Sequence, residues 1–293
     1  MVMPNGFGTL LIGGLVSAIL YGITTLQTYM YYMHDTEDAV IIKLLVAVVW
    51  IFDTLHASFT CHILYYYLIT NYGNLASLEY VVWSFPASSL MNAVVVLAVQ
   101  CFFARQIHNL CRPQVKWWVT APILLFASVQ FGFGLGTQIQ EIVNPNPSVI
   151  TQMRYYGVTP GVAVNVLAEV MITASLCILL YEQGSSSAFP RTKRLLNTLI
   201  VYAVNRCLLT LPLIIAELVT VVLARDTWFL GLSFVLGKLY ANSFLASLNS
   251  REHLRHKDTG TLSGVRISTV QFANPAKLSA GVEHSNIGGM HFA

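Results

Sequence analysis

Asp53 and His56 stand three residues apart in the middle of an apolar run from Val40 to Ile69. A helix turns ~100° per residue, so Trp50, Asp53, His56 and Thr60 fall on one face. A carboxylate beside an imidazole can hold a polar ligand or pass a proton. Neither group belongs in hydrocarbon, since a charged side chain at mid-membrane costs at least ~2.5 kcal/mol to insert. That face must therefore point at other protein. Glu169, Arg206 and Lys238 pose the same problem in three other apolar runs. At ~1.5 Å per residue, Asp53, Glu169 and Lys238 come out at similar depth, with Arg206 somewhat nearer the cytoplasm. Two negatives and two positives on four helices predict mutual pairing. Asp53 and Glu169 are expected to face Arg206 and Lys238, with His56 and Asn242 as neighbours. Asn92 joins the candidate set from a run made half polar by Ser84, Ser88 and Ser89. Such a set is either a neutralised polar core that fixes helix packing, or a ligand pocket or proton path.

Other chemistry finds less support. His56 and His62 are six apart, ~240° around a helix, and cannot share a zinc ion. No other apolar run contains a histidine. Lys238 sits where a retinal Schiff base would form, but the carboxylate that would balance it on the third span is absent. No nucleophile elbow or phosphate-binding loop occurs. No catalytic residue, metal or cofactor is expected, and the chain is expected not to be an enzyme.

The elements that would carry these residues are seven apolar runs, at about 8–32, 40–69, 80–103, 117–139, 159–181, 195–223 and 228–248. Each is long enough to cross a bilayer. The expected fold is all-α, a polytopic membrane protein with a seven-helix transmembrane bundle. Apolar residues make up 55% of the chain and charged ones 10%, where a soluble domain carries ~25% charged residues. The net charge of +3 gives no sign of nucleic-acid binding. The lipid bilayer is the expected partner, with a small unknown ligand beside it, and the membrane is either the plasma membrane or an internal one. Gly13, Gly14 and Ser17 form a small-residue stripe on the first run, and Gly132 and Gly136 a Gly-x-x-x-Gly pair on the fourth. Pro86 predicts a kink, and Glu141 opens a long loop to Val158. Residues 249–293 are Ser/Gly/Asn/His-rich and are expected to form a disordered tail.

Position of charge suggests orientation. Eleven Lys and Arg residues lie in the odd-numbered loops and the tail, against Arg154 and Arg225 on the other side. The N-terminus is therefore expected outside and the C-terminus in the cytoplasm. Cys101 and Cys111 flank a basic loop, where a plain buried or interfacial thiol is a better reading than acylation. No Asn-x-Ser/Thr acceptor occurs apart from Asn146, which proline follows.

Several segments look familiar. They include Leu20-Tyr21-Gly22, Asp53-Thr54 with His56, Asn71-Tyr72-Gly73-Asn74, and Trp83-Ser84. The run from Gln100 to Ile107 and, most clearly, the run from Lys238 to Arg251 complete the set. With these the chain resembles a fungal, mushroom-type family of seven-helix membrane proteins, named for domain of unknown function 6534. The resemblance places that domain at about 160–251. It implies seven membrane helices and no established activity. The Asp-Arg-Tyr and Asn-Pro-x-x-Tyr signatures of G-protein-coupled receptors are missing. A receptor-like sensor is the leading expectation. A small-solute or proton-coupled transporter using the intramembrane charges is the alternative, and a structural membrane protein the third.

Overall fold

The computed structural model describes residues 6–33, 38–72, 74, 81–144, 152–186, 190–223 and 226–267. For 180, 183–186, 190–204, 226–227 and 251–267 it describes the backbone alone. Every element among the described residues is helical. α1 spans Gly6–Met33, α2 Val40–Tyr65, α3 Ser84–Leu110, α4 Lys116–Val143, α5 Thr159–Ser186, α6 Pro190–Val222 and α7 Asp226–Ile267. A π-helical turn, Tyr66–Thr70, continues α2, and another, Arg154–Val158, leads into α5. Each of the seven contains a stretch long and apolar enough to cross a membrane. The chain is a multi-pass membrane protein by this measure.

The helices outrun the apolar runs that announce them, because hydropathy marks the hydrocarbon slab and not the end of hydrogen bonding. α3 continues through Leu110, which leaves a short connection before Lys116 where a longer basic loop is expected. α4 continues to Val143, so Glu141 is helical and does not open a loop. Pro190 is the first residue of α6, where its missing N–H costs nothing. Pro86 likewise falls in the first turn of α3 and not at a mid-helix kink. The last helix passes the expected end at Leu248 and runs to Ile267. The rest of the expected disordered tail, 268–293, lies outside the described residues. Residues 253–293 form a unit separate from 1–252.

Within the first unit, α1 packs on α2, α2 on α3, α3 on α4 and α5, α4 on α5, and α5 on α6. α7 is central. Half of its membrane window is buried, against 17–39% in the other six. Its Phe244 stacks edge-on against Phe102 of α3 at 4.8 Å, within an apolar core shared by α2, α3, α5 and α7. The outer faces carry apolar side chains, such as Leu11, Ile12, Leu15 and Ile19 on α1, as a lipid-facing surface requires.

Glycine decides where two helices can touch. A Cβ on Gly13 would lie 2.5 Å from the carbonyl oxygen of Gly231, so α1 and α7 meet backbone to backbone. Gly14 takes a Leu64 methyl in the same way, and Ser17 is buried. The expected small-residue stripe is thus a packing face. Gly132 and Gly136 are not, since a Cβ at either meets open space. Cys111 is buried, and burial together with the Glu182 carboxylate pushes its thiol up.

Candidate functional site

The four membrane charges form two separate pairs. Lys238 of α7 donates from Nζ to Asp53 Oδ1 of α2 at 2.8 Å and to the Asp53 carbonyl at 2.7 Å. Its ammonium also lies 5.0 Å from the centre of the Tyr21 ring of α1. Arg206 of α6 donates from Nη2 to Glu169 Oε2 of α5 at 2.8 Å. Thr210 donates to the other carboxylate oxygen at 3.0 Å. The guanidinium is stacked 4.1 Å from the centre of the Phe103 ring. All four charged residues are at most 3% exposed, so neither pair is screened by water.

The pairs face opposite ways. Tyr240 hydroxyl lies 3.1 Å from Glu169 Oε2 and 3.2 Å from Asn165 Oδ1. Tyr240 follows Lys238 by two residues, which is ~200° around the helix. One side of α7 therefore grips α2 and α1, and the other grips α5. The two pairs do not merge into the single charge cluster that similar depth suggested.

The remaining sequence candidates divide in the same way. His56 is buried near Lys238, and its Nδ1 has no hydrogen-bond partner. Asn242 is turned away from the charges, and its Nδ2 donates to the Leu20 carbonyl of α1 at 3.0 Å and to the Lys238 carbonyl at 2.8 Å. Asn249 repeats that contact lower down, donating to the Gln27 carbonyl at 2.9 Å. Tyr21 and Thr54 join α1 to α2 at 3.1 Å. These bonds stitch α1, α2 and α7 together. His62 makes a polar contact of another kind, its Nδ1 2.8 Å from the Ser84 hydroxyl at the start of α3.

Asn92 belongs elsewhere. It lines a cavity of about 140 Å³ between α3, α4, α5, α6 and α7. Its Nδ2 donates to the Ser233 carbonyl of α7 at 3.4 Å, and its Oδ1 lies against Gly237, where any side chain would collide with it. The cavity begins beside Phe85, Glu141, Gly157 and Phe229, close to helix ends, and reaches inward to Gln100 and Asn165. Gln130, Gln138, Ser89 and Glu217 add further polar walls, and Ser233 hydrogen-bonds to the Glu217 carboxylate. At the inner end Gln100 Nε2 donates to Gln130 Oε1 at 3.2 Å and to Asn165 Oδ1 at 3.1 Å. Because Asn165 also meets Tyr240, a hydrogen-bonded line runs from the cavity floor to the Glu169–Arg206 pair.

Sequence reasoning overlooked most of this cavity. Its signal is a polar stripe, Gln130, Thr137, Gln138 and Glu141, on an otherwise apolar α4. Spacings of 7, 8 and 11 keep all four within ~100° of arc. Amides add little to a hydropathy profile, and Glu141 falls beyond the end of the apolar run.

Residues 165–253 match a family of unknown function, DUF6534. The match covers less than a third of the chain and lies close to the 160–251 that the resemblance implies. It contains Asn165, Glu169, Arg206, Glu217, Lys238, Tyr240 and Asn242, and so both members of the Glu169–Arg206 pair, the Lys238 side of the other pair and part of the cavity wall. It does not extend to the segments of α1–α3 on which the resemblance also rests. Neither curated proteins nor solved structures give a match to the chain.

Proposed function

We propose that this chain is a non-enzymatic, receptor-like membrane protein. In this reading the two ion pairs hold the bundle together, and the polar cavity among α3–α7 takes a small ligand. One observation carries it. The cavity floor, Gln100 and Asn165, is hydrogen-bonded through Tyr240 to the Glu169–Arg206 pair. A ligand that reorients Gln100 would thereby act on a contact between α5, α6 and α7. The cavity lies toward the end of the bundle that carries the α2–α3, α4–α5 and α6–α7 connections and the start of α1. The distribution of Lys and Arg supports an outward-facing placement of that end. The volume of about 140 Å³ is below the ~300–1,000 Å³ of drug-sized pockets, which restricts the ligand to a small molecule.

Cysteine accessibility tests the proposal. The five native cysteines are replaced, one cysteine is introduced by Ser89→Cys, and intact cells and inverted vesicles are treated with a membrane-impermeant thiol reagent. Reaction from the outer face alone is the expected result. Reaction from both faces would mean alternating access, and a transporter. No reaction from either face would reduce the cavity to a packing defect and the protein to a structural one.

A further inference from the structure

We propose that the cavity selects a small organic ammonium ion, an inference that rests on reading the cavity as a ligand site. Two carboxylates, Glu141 and Glu217, line the space, and no Lys, Arg or His does. Four polar atoms of its walls are buried without a hydrogen-bond partner: Asn92 Oδ1, Gln100 Oε1, Gln138 Oε1 and Glu141 Oε2. All four are acceptors. Gln100 is the most telling of them, because it is only 1% exposed and its Nε2 is already committed to Gln130 and Asn165. Its carbonyl oxygen is left without a donor. The Asn92 amide is oriented by the Ser233 carbonyl, which can only accept, and its oxygen, which has no donor, lies against Gly237.

A buried acceptor without a donor is costly, and a buried carboxyl group with no cation beside it ionises only at further cost. An ammonium group answers both, since it brings three N–H donors, no acceptor and a positive charge. An anion would meet two carboxylates and no cation. A neutral alcohol or amide would bring acceptors of its own into a wall already crowded with them. A multivalent metal is not favoured, because no group of three or more His, Cys, Asp or Glu side chains able to hold one occurs among the described residues. Size sets the rest. An apolar cavity of about 150 Å³ is known to admit benzene, so about 140 Å³ admits roughly half a dozen heavy atoms. Phe85, Val96, Phe131 and Leu236 offer apolar wall for a short alkyl chain.

The test uses the full chain in lipid nanodiscs, with butylammonium, butanol and butyrate as probes at matched ionic strength and sodium chloride as the bare-cation control. Butylammonium is expected to give a calorimetric binding signal and to raise Tm, and the other three are not. Glu217→Gln and Glu141→Gln, which keep side-chain volume, are each expected to weaken butylammonium about tenfold or more. Gln138→Lys tethers an ammonium in the same space. It is expected to fold with a Tm no lower than the parent and to lose butylammonium binding, a result that misfolding cannot imitate. Equal binding of butanol, butyrate or sodium would overturn the proposal. So would undiminished binding by folded Glu217→Gln and Glu141→Gln proteins. If no probe binds while a cysteine at position 89 reacts from outside, the ligand class is wrong and the receptor-like reading survives. If that cysteine is silent as well, both fall.

Discussion

Lys238 satisfies two demands with one side chain, since its ammonium takes both the carboxylate and the backbone carbonyl of Asp53. Breaking such a pair from one side leaves a naked charge in a dry interior, at a cost of about 3–5 kcal/mol. Asp53→Leu is expected to lower Tm and folded yield sharply, and Lys238→Met in the same chain to recover much of the loss. Arg206→Met is not expected to help, because its partner is Glu169 on the other side of α7. The reciprocal set, Glu169→Leu with Arg206→Met or Lys238→Met, should show the opposite preference. Thermal unfolding of the single and double variants in one detergent reads all of these. The members of both pairs were legible in the sequence because a charge in an apolar run demands an explanation. Who pairs with whom was not, since that depends on which helices are neighbours. Asn242 shows the limit well. It shares a face with Lys238, yet its amide closes on α1 backbone. Gln100 and Asn165 left no comparable trace, because an amide in an apolar run raises no alarm.

Among the elements, α1 and α7 are joined by contact at Gly13 and Gly231 and by amide-to-carbonyl bonds below it. Gly13→Val is expected to push the two helices apart, stretch the Asn242–Leu20 and Asn249–Gln27 bonds, and lower Tm. Gly132→Ala and Gly136→Ala place their methyl groups in open space and replace glycine in a helix, a change worth up to ~1 kcal/mol in favour of the folded state. The paired prediction is a clear loss at position 13 and no loss at 132 or 136, measured by the same unfolding assay. Both small-residue sets, Gly13 with Ser17 and Gly132 with Gly136, share the same four-residue spacing in sequence. Among the described residues only the first has a partner, and spacing alone carries no information about that. The helix boundaries were read too short for a related reason. Apolar runs report where lipid is, whereas α3 and α4 continue to Leu110 and Val143, just short of the prolines at 113 and 145, and α7 runs on to Ile267.

At the scale of the molecule, seven spans and a central seventh helix fit a protein whose interior is organised by a few costly polar contacts. The number of spans was plain from hydropathy, because nothing but burial in lipid or protein accommodates so many long apolar segments. Orientation rests on charge placement, and it can be measured. The only Asn-x-Ser/Thr sequence is blocked by proline, so an added acceptor gives an unambiguous signal. An acceptor fused before Gly6 is expected to be glycosylated in cells, and one fused after Ala293 is not, as read by an enzyme-sensitive shift on a gel. The reverse pattern would turn the cavity toward the cytoplasm. One mechanical consequence remains in α7 itself. Lys238 and Tyr240 hold it from opposite flanks at almost one height, ~3 Å apart along the axis. Two such anchors resist sliding and twisting, and each arm has its own fastening to α1. The arm from Trp228 to Lys238 measures ~15 Å and meets α1 at Gly231, and the arm from Lys238 to Ser250 measures ~18 Å and is tied to α1 by Asn242 and Asn249. The helix is therefore a clamped strut, and a load on its cavity-side arm falls on its contacts with α1, α2 and α5.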